Sequence, residues 1–208
     1  NSLALQTKFG EAITLCDSLI ETDTTDLFYS YLKLATIGLK TLDNMYIENP
    51  KEIEVLLQKG DLLLGDSAYG KDPDSRRLKA FWEITAASLD AYDKKYLSAY
   101  NSGKKALKTL KDFKDSSGAL RYDALYYLGN EGYLKSEMRR RSGGVLFWLK
   151  KSGSSGFSYV EQSAEKSSFM SMASRLTLID YSRSLGKLDL AETLISKLPS
   201  GYTKSRFL

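Results

Sequence analysis

The sequence predicts an all-α chain, an α-solenoid in which antiparallel helical hairpins stack with a right-handed turn. Three observations carry this. Leu188, Ala191, Ile195 and Leu198 stand 3, 4 and 3 residues apart, which puts all four on one helix face and leaves the small Ala191 where a neighbour can come close. The same spacing recurs in Phe9, Ala12, Cys16, Leu19; in Ile53, Leu56, Gly60, Leu63; and in Tyr96, Ala99, Gly103, Ala106. With the apolar run opened by Val145, the copies begin at 9, 53, 96, 145 and 188, a near-constant period. Such a period marks units that bury their apolar faces against their neighbours. Third, only 3 prolines interrupt 208 residues, and 42% hydrophobic with 27% charged residues is an ordinary globular composition.

Taken in order, residues 2–21 read as a helix that ends before Glu21-Thr22-Asp23-Thr24-Thr25. Asp23 to Thr25 can cap the next helix, which runs from about Asp26 through Leu27, Tyr31, Leu34, Leu42 and Met45 to Asn49-Pro50. Pro50 suits the first turn of a third helix over 50–64. Residues 65–74 form a turn-rich loop in which Asp72-Pro73 caps a helix over 74–92. Its carboxylates Asp66, Asp72 and Asp74 lack the alternate-position spacing of a calcium loop, so no metal is expected there. A helix over 94–113 follows, and Ser116-Ser117-Gly118 breaks the chain before another over 119–140.

Arg139 to Gly144 reads as a helix end with an inserted loop, where trypsin should cut first, followed by a short helix over 145–151. Ser152 to Gly156 reads as a flexible connector. One long helix over 158–185 then carries Ser163, Ser167, Ser171 and Ser174 along one side, either for close packing or as a hydroxyl-lined wall. The 188–198 helix closes the last unit. The expected organisation is one helical-repeat domain over 1–208, with units near 1–21, 26–64, 74–113, 119–151 and 158–199 and a basic tail at 200–208. That makes nine helices, the first unit being represented by its second helix alone.

Several function classes are excluded. With 0 histidines there is no Ser-His or Cys-His nucleophile system and no histidine metal site, and no Gly-rich phosphate loop is present. The chain is read as a non-enzyme without cofactor or metal. Its 1 cysteine, Cys16, forms no internal disulfide and takes a compact core position. No apolar run approaches the ~20 residues of a membrane span. The chain starts Asn-Ser and not with Met, as expected if a leader of an exported precursor or another N-terminal segment has been removed, and the compartment stays open.

Net charge is +4, but residues 1–70 hold 5 Lys and Arg against 11 Asp and Glu, while 104–151 hold 12 against 5. That asymmetry can steer a charged partner or favour head-to-tail contacts. Lys104, Lys108 and Lys111 align opposite the Tyr96–Ala106 stripe, an ordinary solvated face or, with tyrosines nearby, a nucleic-acid contact.

Leu125, Leu128 and Gly129 resemble the first-helix signature of the tetratricopeptide repeat, and Gly186-Lys187-Leu188-Asp189-Leu190-Ala191 resembles the start of its second helix. Phe9-Gly10-Glu11-Ala12 and Tyr96-Leu97-Ser98-Ala99 match its aromatic-x-x-Ala core. The chain's longer period departs from the family's roughly 34 residues, and the leading Trp is absent. The resemblance implies a protein- or peptide-binding scaffold whose first helices line a concave groove. It assigns partner contacts to Asp123, Tyr126, Asn130 and Tyr133, and in the last unit to Leu176, Asp180 and Arg183. A basic carboxylate clamp is not expected, because Tyr126 occupies the lysine position. The competing reading of Tyr126 and Tyr133 is as core. A receptor for a small apolar ligand is the remaining alternative.

Overall fold

The structure, a computed structural model, describes residues 4, 8–44, 46–65, 71–141 and 153–199. Among them the chain is all-helical: α1 (Phe9–Thr22), α2 (Leu27–Asn44), α3 (Pro50–Gly65), α4 (Pro73–Tyr92), α5 (Tyr96–Phe113), α6 (Ala119–Arg141), α7 (Gly153–Lys166), α8 (Ser171–Ser184) and α9 (Leu188–Ser196). The chain divides near Thr109 into two compact units, the first built on α1 to α4 and most of α5, the second on α6 to α9. Among the described residues no helix is long and apolar enough to cross a membrane.

Local chemistry sets the helix starts. Asp23 folds back on Thr25, accepting its N–H at 2.9 Å, and Asp26 accepts the Phe28 N–H at 2.7 Å to open α2. Asn49 accepts the Glu52 N–H at 3.3 Å just before Pro50 begins α3. Asp72 accepts the Ser75 hydroxyl and, at 2.9 Å, the Ser75 N–H ahead of Pro73, and these two bonds hold its carboxyl below the usual carboxylate range. Pro50 and Asp72 stand where expected, whereas α2 is capped by Asp26 and not by Asp23 to Thr25, whose bonds stay within the turn. Asp74 pairs with Arg77 at 3.0 Å. Asp66 lies outside the described residues.

Three helices of the recurring pattern begin alike. Lys8, Lys95 and Lys187 each accept, on the backbone carbonyl, the N–H of the alanine four residues on, Ala12, Ala99 and Ala191, at 3.0, 3.0 and 3.1 Å. The turns before two of them also match. Lys95 N–H donates to Asp90 C=O at 2.8 Å and Lys187 N–H to Ser182 C=O at 2.8 Å, a six-residue closure around one left-handed residue. That residue is Gly186 in one turn, with φ 72°, and Lys94 in the other, with φ 62°.

In the first unit α2 packs against α1, α3 and α4. Lys33, half-buried on α2, reaches Asp17 of α1 at 2.8 Å and Glu52 of α3 at 2.7 Å. Burial pulls its pKa down, and the bonds and charges of the two carboxylates outweigh that and raise it. Leu27, Tyr31, Leu34, Phe81 and Trp82 are buried in this core. Gly60 is where the Trp82 indole rests: a Cβ there would overlap the indole Cζ2.

The expected core pattern holds at Phe9, Ala12, Cys16, Ile53, Leu56, Gly60, Ala106, Ala191 and Leu198, all buried. It fails at Tyr96 and Leu188, which are 67% and 61% exposed. Each is the first residue of its helix, and a helical side chain covers the turn preceding its own Cα. The preceding turn here is the left-handed one. A second correction concerns 158–185, which is two helices rather than one, and α7 already begins at Gly153 inside the expected connector. Ser167 makes the break: its hydroxyl oxygen accepts the N–H groups of Phe169 at 3.2 Å and Met170 at 2.6 Å. The expected helix over 145–151 and most of the loop after Arg141 lie outside the described residues.

Two substitutions test this packing. Gly60→Ala should lower stability by about 1–3 kcal/mol, measured by urea unfolding, because the methyl displaces a fully buried indole. Lys94→Gly should raise it by about 1 kcal/mol by removing the left-handed cost, without changing the helical content read by circular dichroism.

Candidate functional site

The second unit is assembled on a crossing of backbones. Where α6 meets α7, a Cβ on Gly129 would stand 2.6 Å from Val160 Cγ2 and 2.7 Å from the Gly156 carbonyl oxygen. A Cβ on Gly156 would stand 2.8 Å from both the Gly129 oxygen and the Tyr133 nitrogen. Nothing larger than glycine fits either position.

With α6 seated this closely, its inward face meets α8. The Tyr133 and Tyr181 rings stack with centroids 3.5 Å apart and planes 13° from parallel. Asn130 is used at both ends, donating from Nδ2 to the Tyr126 carbonyl at 2.8 Å and accepting the Tyr181 hydroxyl on Oδ1. Burial raises the Tyr126 phenol pKa, against the lowering bonds to Thr177 and Asn130. Burial also raises Tyr181, with the Tyr126 and Tyr133 phenols and the Asp180 carboxylate adding to it. Asp123, 0% exposed, accepts the Ser167 hydroxyl and so holds the α7–α8 break from α6. Ser163 and Ser174 share a bond of 2.8 Å across the same hairpin. The serine side of 158–185 is therefore a packing surface, with Ser163, Ser167 and Ser174 all buried.

The seven residues assigned to a partner groove do not form one. Asp123, Tyr133 and Leu176 are buried, and Tyr126 and Asn130 are half-buried with their polar atoms engaged as above. The correction is one of rotation, because the face of α6 taken as solvent-facing is the one that packs on α8. Asp180 and Arg183 alone of the seven are exposed.

A different concavity lies between α7, α8 and α9, a cleft of ≈ 230 Å³. Phe157 and Ala164 of α7, Leu178 of α8 and Leu190 and Leu194 of α9 give it an apolar lining. Phe157 and Leu194 also pack on the cluster of Tyr133, Val160, Leu178 and Tyr181, so the lining is anchored to the core. Glu161 and Glu165 stand four residues apart on α7, and Arg175 and Lys197 come from the other elements. None of these four side chains has a hydrogen bond or ion pair among the described residues. Lys187 lies over the Phe157 ring, 5.4 Å from its centroid.

Sequence reading missed this cleft because a single helix over 158–185 keeps Glu161 and Arg175 on one rod. The signal that could have found it is the Ser167-Ser168 pair, a favourable place for a break. Among the described residues no three His, Cys, Asp or Glu side chains gather to hold a metal. No protein-family model, curated protein or solved structure matches the chain.

The buried phenols make alkaline stability the test of this core. A folded pKa above that of the unfolded chain means stability is fully present below about pH 10 and is lost as pH rises beyond it. Lys33 acts in the same direction in the first unit. Urea unfolding between about pH 9 and 11 should show stability falling, and Tyr181→Phe should make the fall shallower, by up to about 1.4 kcal/mol per pH unit once the unfolded phenol is ionised above about pH 10. An unchanged slope would mean the Tyr181 phenol ionises freely in the folded protein.

Proposed function

We propose that the chain is a degenerate relative of the tetratricopeptide repeat, stacked as an α-solenoid, and serves as a non-enzymatic binding module that holds a peptide segment of a partner protein. The repeat part of this reading is supported by the recurring Lys-apolar-x-x-Ala helix start at Lys8, Lys95 and Lys187 and by the matching turns at Lys94 and Gly186. The binding surface is the α7–α9 cleft and not the Tyr126–Tyr133 face.

The observation that carries the function is the set of four charges without partners among the described residues, around an apolar lining. A charged side chain beside apolar surface is favourable only while water or an opposite charge satisfies it. A peptide with an apolar anchor between a basic and an acidic residue would meet both rims at once. The cleft is smaller than the ~300–1,000 Å³ of ordinary small-molecule pockets, which favours one side chain of a peptide over an enclosed apolar ligand.

Selection from a random peptide display library should enrich an apolar residue flanked by basic and acidic ones. Leu190→Arg, at a surface position, should weaken the selected peptides at least about tenfold, or ~1.4 kcal/mol, by calorimetry with circular dichroism unchanged. Glu161→Lys combined with Glu165→Lys should abolish the preference for the basic flank. Peptides that bind equally well to all three proteins would place the site elsewhere.

A further inference from the structure

The first unit exposes a second kind of surface, along α5. Tyr96, Tyr100, Lys104 and Lys108 follow each other at intervals of four residues, about 6 Å apart along the axis, and drift slowly across one side of the helix. Tyr96, Leu97 and Tyr100 are 67%, 76% and 64% exposed, and Lys104 and Lys108 are exposed as well. The Lys104 ammonium lies 5.8 Å from the Tyr100 ring centroid, so ring and cation are presented side by side. Neighbouring cations are already compensated, Lys95 by Asp93 at 2.7 Å and Lys105 by Glu83 at 2.9 Å. Lys104 and Lys108 have no carboxylate partner among the described residues.

We propose that this face of α5 binds single-stranded nucleic acid, with bases stacked on Tyr96 and Tyr100 and phosphates held by Lys104 and Lys108. Exposed flat rings in line with unpaired ammonium groups match the two components of an unpaired strand. A duplex hides its base faces and would use only the lysines. An anionic membrane is the less suitable occupant because it needs an apolar row that continues along the helix. Here the positions after Tyr96 that would continue it, Ala99 and Gly103, are half-buried, and a Cβ on Gly103 would meet Ala87 Cβ at 3.7 Å. One turn of apolar surface is left before the lysines begin. The cleft of the second unit plays no part in this proposal.

The test uses the full chain and a fluorescein-labelled oligothymidylate of about 15 nucleotides, followed by anisotropy across a salt series. Binding at low salt should weaken at least about tenfold in the Tyr96→Ala, Tyr100→Ala double variant. In the Lys104→Gln, Lys108→Gln double variant the slope of log K against log salt should fall by about 1.4 in magnitude. No binding at low salt overturns the proposal, as does equal binding of the corresponding duplex with no loss in the tyrosine variant. Sedimentation with phosphatidylserine vesicles that depends on Tyr96 and Tyr100, without oligonucleotide binding, would assign the surface to a membrane instead.

Discussion

The second unit depends on the contact of bare backbone at Gly129 and Gly156. With no Cβ on either side, α6 and α7 approach until carbonyl oxygen meets Cα, and Val160 packs directly beneath Gly129. Glycine inside a helix costs about 1 kcal/mol relative to alanine, so two of them need a structural return. The return is depth. Tyr133, one turn beyond Gly129, reaches Tyr181 in face-to-face contact, and Asn130 reaches the Tyr181 hydroxyl. On α7, Phe157 follows Gly156 directly, and Glu161, Ala164 and Glu165 follow at helical spacing to form one wall of the cleft. A single crossing thus fixes both the core and the surface concavity.

The first unit uses glycine differently. At Gly60 the space left by the missing Cβ is filled by an indole, so α3 and α4 are held apart by a ring and not brought into backbone contact. Trp82 is 1% exposed and its indole nitrogen has no acceptor among the described residues, a loss that the burial of so large an apolar surface exceeds. Both units follow the same rule, a glycine on one helix set against whatever the neighbour supplies. What the neighbour supplies decides the separation.

Spacing made the helices legible, and it also picked out where small residues would be buried: Ala12, Gly60, Ala106 and Ala191 lie in the core as their 3, 4, 3 register requires. Register along one helix does not say which neighbour covers a given side. The face through Asp123, Tyr126, Asn130 and Tyr133 is as regular as any core stripe, and its polar atoms made it resemble a binding surface until α8 was seen against it. The division of 158–185 was illegible for a related reason. Ser167 can bond locally in a helix or cap a break, and the choice is made by Asp123, 44 residues away in sequence. Tyr96 and Leu188 show the limit at a helix start, where the pattern continues for one residue past the neighbour that would bury it.

The polar groups of the α6–α8 interface bear on where a partner can be held. An amide between tyrosines has the donors and acceptors to grip a peptide backbone, but Asn130 gives its N–H to the Tyr126 carbonyl and its oxygen to Tyr181. Asp123 is likewise committed to Ser167. Such buried, paired groups fix register, since sliding α8 by one turn along α6 would break the Tyr181–Asn130 bond and leave a phenol and an amide oxygen unsatisfied in the interior. The charged groups with no partner among the described residues are the ones left to solvent. In the second unit these include Glu161, Glu165, Arg175 and Lys197, set around apolar side chains that the same core holds in place.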